Sequence, residues 1–187
     1  MTSMVMLDLE TLSTKSNAII LVIGAIKFKS NERWPSSIND NYIKTLDTFY
    51  ERIDIHSCLD QGLTKDQKTM DWWLKQEESV KYEALYNNDR LSLKKALEKF
   101  SKWFGPDKKT KIWGNGSSFD CTILKEAYYA CDMQIPWDFL MERDLRTIMD
   151  LANVNMYELP KSNKHNALYD CYRQIIGYQR SEYKLLK

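Results

Sequence analysis

Met4-Val5-Met6-Leu7 is a short apolar run that ends on Asp8, and Ile19 to Phe28 is a longer run rich in β-branched residues. Both patterns predict strands of a central sheet. The polar stretch Thr11 to Asn17 between them predicts a hairpin loop. Asn31 to Asp47 carries Pro35, Ser36 and Ser37 with little periodicity, which predicts a surface excursion before a third strand near Phe49 to Ile53. From Thr64 to Asn87 the pattern turns helical, with Met70, Trp73 and Leu74 on one face. Ser92 to Phe104 gives the clearest helix, because Leu93, Ala96, Leu97, Phe100, Trp103 and Phe104 fall on a single stripe. Ser92 is placed to cap it, and Gly105-Pro106 to stop it.

Lys111-Ile112-Trp113 then reads as a strand, followed by a Gly-Asn-Gly-Ser-Ser turn and a helix from about Phe119 to Ala130. Asp144 is placed to cap a helix running through Ala152. After a loop from Asn153 to Lys164, a last helix from about Asn166 to Tyr178 carries the apolar stripe Leu168, Cys171, Tyr172, Ile175 and Ile176. Antiparallel strands first, then alternating strands and helices, predict an α/β domain with a mixed sheet. At 187 residues, without linker or repeat, the expectation is a single domain over 1–187 that buries roughly 70% of its unfolded surface.

Composition narrows the picture. The longest apolar run, Ala18 to Ile26, is about half of the ~20 residues that a membrane-spanning helix needs. The N-terminus bears Asp8 and Glu10 where a signal peptide would be basic, so the expectation is a cytoplasmic protein. Cys58, Cys121, Cys131 and Cys171 form no CxxC pair and are joined by only two histidines, His56 and His165. They read as buried free thiols, not a zinc site.

Three short motifs can carry chemistry. Asp8 and Glu10, two apart on a predicted strand, point to the same face. Paired anions at the end of an apolar strand repel and lose solvation unless a cation compensates them, which favours a metal. DxE is nonetheless a common triplet. In Asn115-Gly116-Ser117-Ser118-Phe119-Asp120 a carboxylate opens a helix, where the helix dipole alone would favour it. In His165-Asn166-Ala167-Leu168-Tyr169-Asp170 the two end residues would stand roughly 140° apart on a regular helix. They converge only if His165 lies on the preceding loop; a surface or capping histidine is the alternative.

Together, and in this order, the motifs DxE, N-x3-F-D and H-x4-D resemble the DEDDh group of 3′-to-5′ exonucleases, from residue 4 to about 178. Thr69-Met70-Asp71-Trp72-Trp73 and Arg143-Asp144-Leu145-Arg146-Thr147 look most similar to its phage and bacterial branch. The resemblance implies an RNase H-like mixed sheet, with three antiparallel strands followed by parallel ones, flanked by helices. It implies hydrolysis of DNA or RNA from the 3′ end to nucleoside 5′-monophosphates. Asp8, Glu10, Asp120 and Asp170 would hold two divalent ions and His165 would be the general base. A site of carboxylate oxygens suits Mg²⁺ or Mn²⁺. Where many relatives read Asp-x-Glu-Thr-Thr-Gly, this chain has Leu12 and Ser13 after Thr11, a departure in the grip on the terminal nucleotide.

Expected substrate contacts are Thr11, Leu12 as a wedge against the terminal base, and Asn115. Trp72, Trp73 and Trp113 are read as core ahead of stacking platforms. Lys161 and Lys164 flank His165 and could meet phosphates. The expected partner is a nucleic acid 3′ end, single-stranded DNA or RNA, with neither membrane nor organic cofactor. A catalytically silent binding module on the same fold is the alternative function. The balance of 27 basic against 26 acidic residues argues against a bulk basic surface. Setting aside the four expected ligands leaves 22 acids and a mildly basic remainder.

Overall fold

The computed structural model describes residues 3–30, 32–160 and 165–187. Among these, five strands form one sheet in the order β3-β2-β1-β4-β5. In chain order, β1 is Ser3–Thr11, β2 Ile20–Lys29 and β3 Thr48–Arg52, paired antiparallel as the sequence predicts. β4 (Lys111–Gly114) and β5 (Glu142–Asp144) then add in parallel on the other side of β1. β5 has three residues, all charged, so no apolar pattern announces it.

The helices are α1 (Asp40–Ile43), α2 (Ile55–Asp60), α3 (Gln67–Leu74), α4 (Glu78–Lys81), α5 (Leu93–Phe104), α6 (Asp120–Ala130), α7 (Leu145–Leu151) and α8 (Ala167–Leu185). The helical stretch expected over Thr64 to Asn87 is broken into α3, α4 and a π turn over Tyr82–Tyr86. Asp66 caps α3 by accepting from Thr69 N, 2.8 Å away. Ser92 occupies the N-cap position of α5 without a side-chain capping bond; Ser57, reaching across from α2, accepts from Leu93 N at 2.9 Å. Asp144 caps α7 as expected. α8 extends seven residues beyond Tyr178: Gln179 and Ser181 stay buried on its inner face, and the helix formers Arg180, Glu182, Lys184 and Leu185 carry it on. The excursion between β2 and β3 is not purely superficial, since Trp34 is buried against Tyr172 of α8.

Strand alternation divides the core. Val5, Leu7 and Leu9 join α5 and α6 on one face of β1, whereas Met4 and Met6 join α7 and α8 on the other. All four cysteines are free and buried. Among the described residues no helix is long and apolar enough to cross a membrane.

Candidate active site

Continuing the alternation of Met4 and Met6 places Asp8 and Glu10 on the α8 face, where the strand leaves the apolar core. α8 meets them with Asp170 in its first turn. Asp8, Glu10 and Asp170 each offer a carboxylate oxygen, and these oxygens all lie within 4.8 Å of one another. Gly24, opposite Asp8 in the β1–β2 register, permits this approach: a Cβ there would stand 2.4 Å from Ala167 Cβ at the start of α8.

Asp120 sits behind the trio at the start of α6, 2% exposed. Its Oδ1 accepts from Leu9 N (3.1 Å) and its Oδ2 from Asn115 N (2.8 Å), so it ties β1 to the turn after β4. The expectation from sequence treated it as an equal of the other three acids. Its geometry makes it also a strut.

Electrostatically the cluster is strained by its own charge. Burial first, and then the neighbouring Asp120, Glu10 and Asp170, hold the Asp8 carboxyl well above the usual range. Burial, with Asp170 and Asp120, pushes Glu10 up to about 8. Burial raises Asp120 to about 6, against the pull of its backbone hydrogen bonds and of Arg146. Gln174, one turn after Asp170, donates Nε2 to Asp8 Oδ1 at 2.6 Å. Among the described residues neither its buried Oε1 nor the buried Oδ1 of Asn115 has a hydrogen-bond partner.

His165 lies on the loop before α8, not on the helix, as convergence with Asp170 requires. Its φ is +60°, a left-handed conformation that histidine tolerates better than most residues. From there its backbone N–H donates to Asp170 Oδ2 at 3.2 Å. The imidazole stands edge-to-face with Trp72 and packs on Trp73, whose Nε1 donates to Thr11 O at 2.8 Å.

Asp8, Glu10, Asp170, Gln174, His165, Trp72 and Trp73 line a cleft of about 550 Å³, together with Leu9, Thr11, Asn115, Phe119, Arg146 and Arg173, whereas Asp120 lies beneath its surface. Thr11 is 6% exposed and its hydroxyl donates to Ser13 O. Leu12 departs from the expected wedge: it is 4% exposed and packs in the α5–α6 core, because the bulge after Glu10 turns it inward. Trp73 and Trp113 are core residues as favoured, while Trp72 is 40% exposed on the cleft wall. Lys161 and Lys164 lie outside the described residues. Sequence reasoning missed Gln174, Arg146 and Arg173. Gln174 had a signal: a polar residue four positions after Asp170, beside the apolar stripe of α8.

A mixed sheet of this order, with carboxylates gathered from the central strand and two helices, is an RNase H-like fold. A family model, the 3′-5′ exoribonuclease Rv2179c-like domain, matches residues 3–179, and the chain belongs to that family. Solved structures share its fold. Cell-death related nuclease 4 (CRN-4) superposes with a TM-score of 0.63 at 16% identity, over 95% of this chain and 62% of that one. Product-bound exonuclease I gives 0.68 at 12% identity, over 99% and 44%. The zinc-bound E. coli exonuclease I–ssDNA complex gives 0.67 at 14%, over 98% and 41%. The chain thus spans under two thirds of the chains it superposes on. No curated protein matches it by sequence.

Proposed function

We propose that the chain is a divalent-metal-dependent 3′-5′ exonuclease acting on single-stranded nucleic acid, RNA foremost, and releasing nucleoside 5′-monophosphates. The observation that carries this reading is the convergence of Asp8, Glu10 and Asp170 within 4.8 Å, with Asp120 behind them, at the floor of an open cleft. The donor set fits Mg²⁺ or Mn²⁺: it is all oxygen, burial and then mutual repulsion drive Asp8 and Glu10 toward protonation, and two buried amide oxygens beside it have no hydrogen-bond partner among the described residues. Asp8, Glu10, Asp120 and Asp170 would hold two such ions. Divalent ions there would neutralise charge on the phosphodiester and lower the pKa of water.

The remaining work falls to the chain's own groups. Gln174 holds Asp8 in one orientation. His165 takes the proton of the attacking water. The water oxygen bonds to phosphorus as the bond to the upstream O3′ breaks, and the leaving oxygen takes a proton from solvent, giving a 3′-hydroxyl on the shortened strand and a 5′-monophosphate. Thr11 and Asn115 face the terminal nucleotide from the cleft wall; Leu12, from beneath, supports that wall. Family membership supports the ribonucleotide substrate, and the exonuclease I structures solved with ssDNA support a single strand.

The test is directional. A 5′-labelled oligoribonucleotide incubated with the protein and Mg²⁺ should give a ladder shortening from the 3′ end. Internal cuts, or immediate release of the labelled 5′ nucleotide, would refute the assignment. A silent module on the same fold would bind the strand and leave its length unchanged.

A further inference from the structure

α7 and the segment after it bound a second cavity of about 710 Å³, and Arg146 and Met156 line both this cavity and the carboxylate cleft. The Arg146 guanidinium rests against the turn that leads to Asp120: a Cβ on Gly116 would meet its Cζ at 3.6 Å. Thr147, Asn153 and Asn155 line the second cavity beside the apolar Met149 and Val154 and one carboxylate, Asp150. Directly after Met156, Tyr157 is 94% exposed.

An exposed tyrosine on a loose loop would imply little, but this one stands on a braced turn. Asn155 Oδ1 accepts from Tyr157 N at 2.9 Å. Arg173 donates to Met156 O (2.6 Å) and Pro160 O (3.1 Å), Arg180 to Glu158 O (3.0 Å) and Lys184 to Asn153 O (2.8 Å). All three basic side chains belong to α8, and Arg173 follows Asp170 by less than one turn. The helix that presents a catalytic carboxylate therefore also holds the tyrosine's backbone. The backbone around the tyrosine is thus held relative to the cluster, while its ring is left to solvent.

We propose that this second cavity is a subsite for the nucleotides upstream of the 3′-terminal one, with Arg146 at the junction meeting the phosphate between them and Tyr157 stacking on an upstream base. The inference rests on the nuclease reading above. A cation between two cavities suits a phosphodiester. Mixed polar and apolar walls, with an aromatic next in sequence to Met156 at their edge, hold a base without reading it, as an enzyme that advances along a strand needs. A strand long enough to fill both cavities is then a better substrate than a dinucleotide.

The experiment compares wild type, Tyr157→Ala and Tyr157→Phe in two measurements. One is the Kd of a 5′-fluorescein octaadenylate in EDTA, read by anisotropy. The other is the ratio of kcat/KM for that octamer to kcat/KM for the dinucleotide ApA with Mg²⁺. Tyr157→Ala should weaken octamer binding about tenfold and lower the ratio by a similar factor, with Tyr157→Phe close to wild type. If wild type shortens both substrates and Tyr157→Ala moves neither the Kd nor the ratio, the subsite is overturned and the nuclease reading survives. If wild type shortens neither and Tyr157→Ala still weakens octamer binding, the nuclease reading falls and the subsite stands.

Discussion

The imidazole of His165 stands against the indole of Trp72 with ring centroids 4.7 Å apart and planes at 89°. Trp72 in turn packs edge-to-face on Trp73 at 5.1 Å, and Trp73 is bonded to the end of β1 through Thr11 O. A histidine on the loop before α8 is thereby steadied by α3, an element distant in sequence. Such aromatic pairs contribute about 0.5–1.5 kcal/mol, so Trp72→Ala should lower kcat about three- to tenfold with KM little changed, and Trp72→Phe should recover most of the loss. The chain has only two histidines, so the His165 ring protons are readily followed by NMR. Their shift should move in Trp72→Ala while those of His56 stay. A raised KM with unmoved His165 signals would show instead that Trp72 touches substrate.

Gln174 holds Asp8 through one hydrogen bond of 2.6 Å. Removing a partner that orients a metal ligand typically costs 10–100-fold in metal affinity or activity. Gln174→Leu should therefore raise the Mn²⁺ concentration for half-maximal activity at least about tenfold, recovered at saturating metal. An unchanged metal requirement would show that Asp8 needs no such support.

The acids predict how stability varies with pH. Glu10 titrates at about 8 against an ordinary 4.5, and Asp120 at about 6 against 3.8. Over those intervals the folded state holds protons that the unfolded chain has released, so stability falls as pH rises through them. The metal-free protein should melt lower at about pH 8.5 than at about pH 6, and Mn²⁺ should raise Tm more at the higher pH. Calorimetric scans with EDTA and with Mn²⁺ at both pH values check the sign; a metal-free Tm that rises with pH would contradict it.

Gly24 sets how closely α8 approaches the sheet. A methyl group there would meet Ala167 Cβ at 2.4 Å and its backbone carbonyl carbon at 2.8 Å, and backbone yields little. Gly24→Ala should cost about 1–3 kcal/mol as overpacking, lowering Tm by roughly 2–12 °C. Activity should fall further than the folded fraction does, because α8 carries Asp170.

Much of this architecture was legible where chemistry and periodicity coincide. Met4, Met6, Asp8 and Glu10 share one strand face, so the carboxylate pair could be placed before any coordinates. The geometric conflict between His165 and Asp170 on one helix correctly moved the histidine onto a loop. Other features left no local trace. β5 is Glu-Arg-Asp, held by its pairing with β4, and no hydrophobic pattern could mark it. Leu12 looked like a loop residue free to meet a base, but the bulge after Glu10 turned it into the core. The capping of α5 by Ser57 depends on two elements meeting in space, and neither segment's own sequence encodes that partner.

Metal-dependent turnover at the carboxylate cluster is the central claim, and one assay addresses it directly. Release of nucleoside 5′-monophosphate from an oligoribonucleotide is followed for wild type with Mg²⁺, for wild type with EDTA, and for folded Asp8→Asn with Mg²⁺. Steady release is expected in the first case and loss of at least about a hundredfold in the other two. Equal rates in all three would contradict that claim.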